Sequence, residues 1–429
     1  MSESSHLAVP TSGRPDILAS DFDRAPFLVI WETTQACDLA CIHCRAGARP
    51  YRDCGELSTL EAMNMMNRIR RFGRPLFVLT GGDPAKRPDL VDLVAHGARL
   101  GLRMGLTPSG TPLVTAELVR ELRDAGLSRL AVSLDGPTPE SHDRFRGVAG
   151  SYDWTIGMLE MARDLGISTQ VNSTVSRGTL SDFDAMGALV RKLGIALWSV
   201  FFLVPIGRGR SGDLPSPDEL ERVFHRMYDL SLDAPFDVKS TAAPQYRRVV
   251  LERQVASRRQ GERNQLPSPL TGGVGFSLAD GVGRARGVND GNGFLFISHR
   301  GDLFPSGFLP VSAGNIRTDD PVAVYRDHEL FRALRNPDLL KGKCGICEYR
   351  SVCGGSRARA WALTGDALEA DPSCAHVPAQ YLRMVGRGEA QEVDVYFRQR
   401  IPGWGARPRV GELPTPGSGN SRLPTLCSR

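Results

Sequence analysis

Short apolar runs alternate with amphipathic stretches along the first half of the chain. Phe27-Leu28-Val29-Ile30-Trp31 is an apolar run of strand length. Ser58-Thr59-Leu60-Glu61 carries the Ser-x-x-Glu pattern in which side chain and backbone cap each other, and Met63, Met66 and Ile69 follow at three-residue spacing, so a helix is predicted there. Strand-like runs at 76–79, 102–106, 130–134, 168–174 and 197–204 then alternate with helix-like stretches at 88–100, 115–125, 154–165, 182–193 and 217–230. This order predicts an α/β fold whose parallel sheet is joined by right-handed crossovers. An open sheet and a partial barrel both fit, and in either the chemistry belongs to the loops after the strands. Trp31, Trp154, Trp198 and the Met63/Met66 stripe read as core.

The remainder divides by composition. Residues 1–24 are polar, with Pro10, Gly13 and Pro15, and read as a flexible leader. Residues 25–235 form the alternating core, and 236–293 a connecting segment whose Gly- and Pro-rich stretch 265–293 reads as a linker. Within 294–385, apolar 294–297 and 303–304 flank His299-Arg300-Gly301-Asp302 as a β-hairpin. The tail 386–429 carries Pro402, Pro408, Pro414 and Pro416 and reads as mobile. With 41% hydrophobic and 24% charged residues over 429 positions, the chain is an ordinary globular protein of two or three domains, or one barrel with an appendage. A net charge of +5 is too small to argue for nucleic-acid binding. No apolar run reaches the ~18–20 residues of a membrane span, and the polar start lacks a signal-peptide pattern. A cytoplasmic setting with reduced thiols is expected.

That setting gives the nine cysteines their meaning. Cys37, Cys41 and Cys44 form C-x3-C-x2-C directly after the first strand, and Cys344, Cys347, Cys353 and Cys374 form C-x2-C-x5-C-x20-C. Tight clusters in a reducing compartment read as metal or iron–sulfur ligands before disulfides. Three thiolates in one loop suit three irons of a [4Fe-4S] cube and leave the fourth iron open to a ligand. Structural zinc there would need a fourth ligand, and His43, the candidate, is awkwardly placed beside Cys44. The four later cysteines suit zinc or a complete [4Fe-4S] cube, and spacing alone does not separate the two. Cys54 reads as a small core or surface thiol and Cys427 as incidental.

At Cys37, Cys41 and Cys44 the sequence resembles the radical S-adenosylmethionine (SAM) superfamily, and the resemblance continues over about residues 27–235. Gly81-Gly82-Asp83-Pro84 looks like the family's Gly-Gly-Glu-Pro motif for the SAM amino group, with a shorter carboxylate at Asp83. Thr107-Pro108-Ser109-Gly110, Ser133-Leu134-Asp135-Gly136 and Asn172-Ser173 fall where family loops hold the SAM ribose and carboxylate, and Arg146 is the implied carboxylate clamp. The resemblance thus implies a partial (β/α)6 TIM-type barrel with a C-terminal iron–sulfur SPASM/twitch-like domain. It also implies a SAM-binding [4Fe-4S] cluster, a second, auxiliary [4Fe-4S] cluster on Cys344, Cys347, Cys353 and Cys374, and an enzyme that generates a 5′-deoxyadenosyl radical. Ser306 and Arg357 stand where many members have further cysteines, so one auxiliary cluster is expected, not two.

Within the superfamily the sequence is most similar to the tetrapyrrole-modifying branch, through Cys344 to Ala360, Thr364-Gly365-Asp366, 287–291 and 305–310. That branch includes the haem synthase of the alternative haem-b pathway, which oxidatively decarboxylates two propionates of iron-coproporphyrin III. Gln245 occupies a position associated with histidine in the branch. Arg247, Arg248, Arg357 and Arg359 are candidates for pairing propionates, or else solvated surface arginines. A low-potential electron donor, ferredoxin or flavodoxin, is the implied partner. A maturase of ribosomally made peptides is the alternative, weakened by a leader too short for a separate peptide-recognition domain. A non-catalytic electron-relay or sensor protein is a third reading, against which the complete set of SAM loops argues.

Overall fold

The computed structural model describes residues 21–259 and 287–388. The predicted leader before residue 21, most of the 265–293 linker, the tail beyond 388 and Cys427 lie outside the described residues. The strands are β1 (Leu28–Glu32), β2 (Leu76–Thr80), β3 (Arg103–Leu106), β4 (Leu127–Ser133), β5 (Ser168–Val175), β6 (Leu197–Phe202), β7 (Asp237–Thr241), β8 (Phe294–Ile297) and β9 (Leu303–Phe304). Between them run α1 (Thr59–Ile69), α2 (Leu90–Arg99), α3 (Ala116–Asp124), α4 (Pro139–Arg146), α5 (Ser151–Asp164), α6 (Phe183–Lys192), α7 (Pro217–Ser231) and α8 (Gln245–Arg259). The Ser58/Glu61 capping box opens α1 as predicted.

The sheet order is β7-β6-β5-β4-β3-β2-β1-β8-β9. A doubly wound sheet reverses its order at a switch point. Here β1 to β7 follow one another in parallel without reversal, so the chain winds one way and forms a partial barrel. Alternation along each strand separates two environments. Leu28, Ile30, Leu76 and Val78 face the barrel interior. Val29, Trp31, Phe77 and Leu79 are buried in the core under the helices, with Trp198.

Two strands alter the sequence picture. β7 lies in the stretch read as a connecting segment, and pairs in parallel with β6. The predicted hairpin exists, with β8 antiparallel to β9, but β8 also pairs in parallel with β1, from Leu28↔Phe294 to Trp31↔Ile297. The second half of the chain therefore continues the barrel sheet before it becomes an extension. That extension carries α9 (Pro321–Asp327), α10 (Glu329–Arg335), the single turn α11 (Gly342–Gly345), α12 (Arg357–Thr364) and α13 (Ala379–Gly386). No helix among the described residues is long and apolar enough to cross a membrane.

Candidate active site

The loop after β1 carries Cys37, Cys41 and Cys44, and its neighbours grip it by the backbone. Ala40 N–H and Ile42 N–H donate to the carbonyls of Arg146 and Phe145, Cys37 N–H donates to Arg49, and Arg208 N–H donates to Cys44. Two glycines make the approach possible. A Cβ on Gly82 would stand 2.3 Å from the Ala36 carbonyl oxygen, and one on Gly207, at φ +59°, would stand 2.4 Å from that of Cys44.

Each sulfur in this loop receives one N–H: Leu39 N–H at 3.3 Å from Cys37 Sγ, Arg146 Nη1 at 3.5 Å from Cys41 Sγ and Ala48 N–H at 3.4 Å from Cys44 Sγ. Donors of this kind favour thiolates and tune what the thiolates bind. Burial pushes the Cys37 thiol up, opposed by its contact with Ser109. His43 does not suit the zinc alternative. Its ring stacks on Phe145 at 4.3 Å. Its Nδ1 is buried with no hydrogen-bond partner, whereas a zinc-ligating histidine normally uses its second nitrogen on an orienting group. The three sulfurs thus suit an iron–sulfur cube held by three ligands.

The cysteines border a cavity of about 410 Å³, within the ~300–1,000 Å³ of small-molecule sites. Gly81, Gly82, Ser109, Ser133, Asn172 and Arg146 line the same cavity. Ser133 and Asn172 are register partners on β4 and β5, and Asn172 Oδ1 accepts from Gln170 Nε2 at 2.7 Å. Ser109 Oγ donates to the Gly82 carbonyl at 2.9 Å and lies 3.2 Å from Cys37 Sγ. Asp83 and Asp135 stand behind the wall. Asp83, fully buried, accepts from Ala85 N–H, Ser109 N–H and Thr111 Oγ1, and burial raises its pKa. It orders the turn at 107–111. Asp135 accepts Thr174 N–H at 2.6 Å and pairs with Arg146. Burial pushes Asp135 upward, but Arg146, His43, His142 and the Thr174 N–H together outweigh it and hold the carboxylate below its ordinary range.

Several wall residues escaped the sequence reading. Arg45, immediately after Cys44, pairs with Glu32 at 2.5 Å and lies over the Phe296 ring, and Glu32 also takes His299 Nδ1 at 2.8 Å. Burial raises the Glu32 pKa, and Arg45 and His299 together bring it below the ordinary value. Arg129 on β4 and Lys239 on β7 line the cavity, with Phe201, Phe296 and Phe308 also in its wall. Arg129 precedes the apolar run 130–134, and Lys239 lies on a strand with a single apolar residue, so neither carried a sequence signal.

In the extension, Cys344, Cys347, Cys353 and Cys374 line one small cavity. Gly355 N–H donates to Cys353 Sγ and Tyr349 N–H to Cys347 Sγ, both at 3.4 Å. Burial pushes the Cys353 thiol up, and the Cys374 thiol up to about 11. Held ionised together, four thiolates around this cavity would need a multiply charged metal group among them. Of the four candidate arginines only Arg247 reaches the large cavity, where it donates to the carbonyls of Val288 and Val352 and burial lowers it to about 10. Arg248 pairs with Glu221 and Glu252. Arg357 and Arg359 are fully buried. Arg357 holds the Ala367 and Glu369 carbonyls, and Arg359 holds Asp371. They are neither solvated nor turned to the large cavity.

Comparison with known proteins shows the family of the chain. The sequence model of the radical SAM superfamily matches residues 31–186. The chain is 40% identical over 357 residues to the AdoMet-dependent heme synthase of Methanosarcina barkeri, covering 83% of this chain and 98% of that one. It is 37% identical to the protein of the same name from Nitratidesulfovibrio vulgaris, covering 86% and 98%. Among solved structures, Streptococcus suis SuiB bound to S-adenosylmethionine superposes with a TM-score of 0.61 at 15% identity, covering 82% of this chain and 78% of that one, a likeness of fold.

Proposed function

Because the chain belongs to the radical SAM superfamily and is closely related to AdoMet-dependent heme synthases, we propose that it oxidatively decarboxylates propionate side chains of iron-coproporphyrin III to vinyl groups. Cys37, Cys41 and Cys44 would hold a [4Fe-4S] cluster and leave one iron to SAM. When bound and reduced by a low-potential donor such as ferredoxin or flavodoxin, this pair supplies a 5′-deoxyadenosyl radical. Gly81 and Gly82 present backbone to the SAM amino end, Asp83 fixes the turn opposite them, and Ser109, Ser133 and Asn172 offer polar contacts along the wall. Cys344, Cys347, Cys353 and Cys374 would hold the auxiliary [4Fe-4S] cluster.

The observation that carries the substrate reading is the composition of the cavity wall. One continuous cavity joins the Cys37–Cys44 loop to an aromatic wall at Phe201, Phe296 and Phe308 and to cationic side chains at Arg129 and Lys239. A porphyrin needs both: flat apolar surface for the macrocycle and cations for its carboxylates.

The test is a reaction of the reduced, cluster-reconstituted protein with SAM and iron-coproporphyrin III under anaerobic conditions, followed by mass spectrometry. Each propionate is expected to lose carbon dioxide, one hydrogen and one electron, with 5′-deoxyadenosine formed alongside. Formation of 5′-deoxyadenosine with unchanged porphyrin would reject the substrate and turn attention to a peptide. Its absence above a Cys41→Ala control would reject the enzyme.

A further inference from the structure

Arg146 stands where a clamp for the SAM carboxylate is expected, yet its contacts point to the cluster loop. Its Nη1 donates to Cys41 Sγ at 3.5 Å, and its Nη2 is engaged by Asp135. Asp135 is itself fixed by Thr174 N–H. Arg146 and Asp135 are both buried, so water does little to screen the guanidinium from the sulfur. The Arg146 carbonyl also accepts Ala40 N–H, which holds the same loop from its backbone side. A second guanidinium, Arg208, donates from Nε to the Cys41 carbonyl at 2.8 Å. Cys41 is thus the ligand on which fixed positive charge converges, while Cys37 and Cys44 receive backbone N–H groups at their sulfurs.

We propose that Arg146 is a positioning residue that makes the SAM-binding cluster easier to reduce, through its charged hydrogen bond to Cys41 and with its orientation set by Asp135. The inference rests on the cluster-binding part of the function above and is independent of the tetrapyrrole substrate. The step is a one-electron reduction: one electron enters the cluster from an external low-potential donor, and no bond or proton moves. Added negative charge on the cluster spreads onto its thiolates, and a fixed cation against one of them favours the reduced state. Asp135 partly offsets that cation, so the two residues act in opposite directions on one equilibrium.

The test is a reductive titration of the reconstituted, substrate-free protein, followed by electron paramagnetic resonance and paired with a SAM-binding measurement. Arg146→Gln is expected to make reduction at least tenfold less favourable, a downward shift of about 59 mV for a one-electron couple. Arg146→Lys restores part of that shift, and Asp135→Asn moves the potential upward. Potentials unchanged in all three variants, with SAM affinity lost in Arg146→Gln, would make Arg146 a carboxylate clamp alone and overturn the proposal. Should the variants fail to retain iron, wild-type protein labelled with 15N-arginine decides. A nitrogen hyperfine coupling to the reduced cluster supports the hydrogen bond to Cys41, and its absence rejects it.

Discussion

Gln245 Nε2 donates to Asp371 Oδ2 at 2.6 Å, tying the first residue of α8 to the segment that carries Cys374. Asp371 also accepts Arg359, Ser356 N–H and Ser373 N–H, and it is fully buried. The side chain at 245 therefore serves the join between barrel and extension. Gln245→Ala is expected to cost about 1–3 kcal/mol, the range for leaving a buried acceptor short of one donor. It should leave 5′-deoxyadenosine formation intact. Asp371→Asn should cost about 3–5 kcal/mol, because Arg359 loses its counter-charge in the interior. Chemical denaturation of the two variants beside wild type checks both values. A Gln245→Ala protein of wild-type stability that no longer turns over would move residue 245 from the join to the reaction.

Gly207→Ala should empty the first cluster site without unfolding the barrel. The added methyl would stand 2.4 Å from carbonyl oxygens of the Cys44–Arg45 backbone, and φ is +59°. The loop that must give way is the one carrying the ligands, whereas the barrel core lies elsewhere, around Trp31, Phe77 and Trp198. Iron content should fall by one cluster while far-ultraviolet circular dichroism stays that of wild type. Gly212→Ala, where nothing lies within 4 Å of the added methyl, is the control.

Six strands and both cysteine groups were legible in the sequence because each writes a local pattern: an apolar run, or sulfur spacing. β7 was not, and its chemistry explains why. Asp-Val-Lys-Ser-Thr has a single apolar residue, Val238, facing the core, while Asp237, Lys239 and Thr241 line the cavity. A strand whose inner face is polar lacks the run that marks the others. α4 was missed for a related reason. Its buried side chains include His142 and Arg146, which read as solvent-facing until their partners are known. The pairing of β8 with β1 joins residues 266 positions apart, as at Leu28↔Phe294, and no local pattern encodes it. Arg357 and Arg359 belong with these cases. A buried arginine is legible only together with the carbonyls and the carboxylate that hold it.

Stability toward acid should depend on Glu32. Its folded pKa lies below the ordinary value of 4.5, with burial opposing and Arg45 and His299 prevailing. A depressed carboxylate stabilises the fold fully above its unfolded pKa, and the contribution disappears as pH falls from about 4.5 through the folded value. Wild type minus Glu32→Gln, compared by denaturation from neutral pH downward, should therefore give a stability difference that shrinks only below about pH 4.5. A difference independent of pH across that window would mean that the charge on Glu32 contributes nothing.

Arg129 offers the sharpest separation between radical generation and substrate recognition. It sits at the β3/β4/β5 rows, paired in register with Gly105 and Ser168, and its Nη1 lies 3.5 Å from Gln170 Oε1. That places a buried cation in the barrel wall, apart from the loop of cluster cysteines, where a propionate of the proposed substrate would find a partner. Arg129→Met is expected to weaken iron-coproporphyrin III binding by about 2–5 kcal/mol, the cost of removing one member of a buried charge pair. SAM cleavage without substrate should be unchanged, because none of the three sulfurs is touched. Binding is read by porphyrin absorbance titration and cleavage by 5′-deoxyadenosine release. If porphyrin affinity is unaltered while cleavage falls, Arg129 belongs to the SAM side of the cavity and the assignment of its charge to the substrate is wrong.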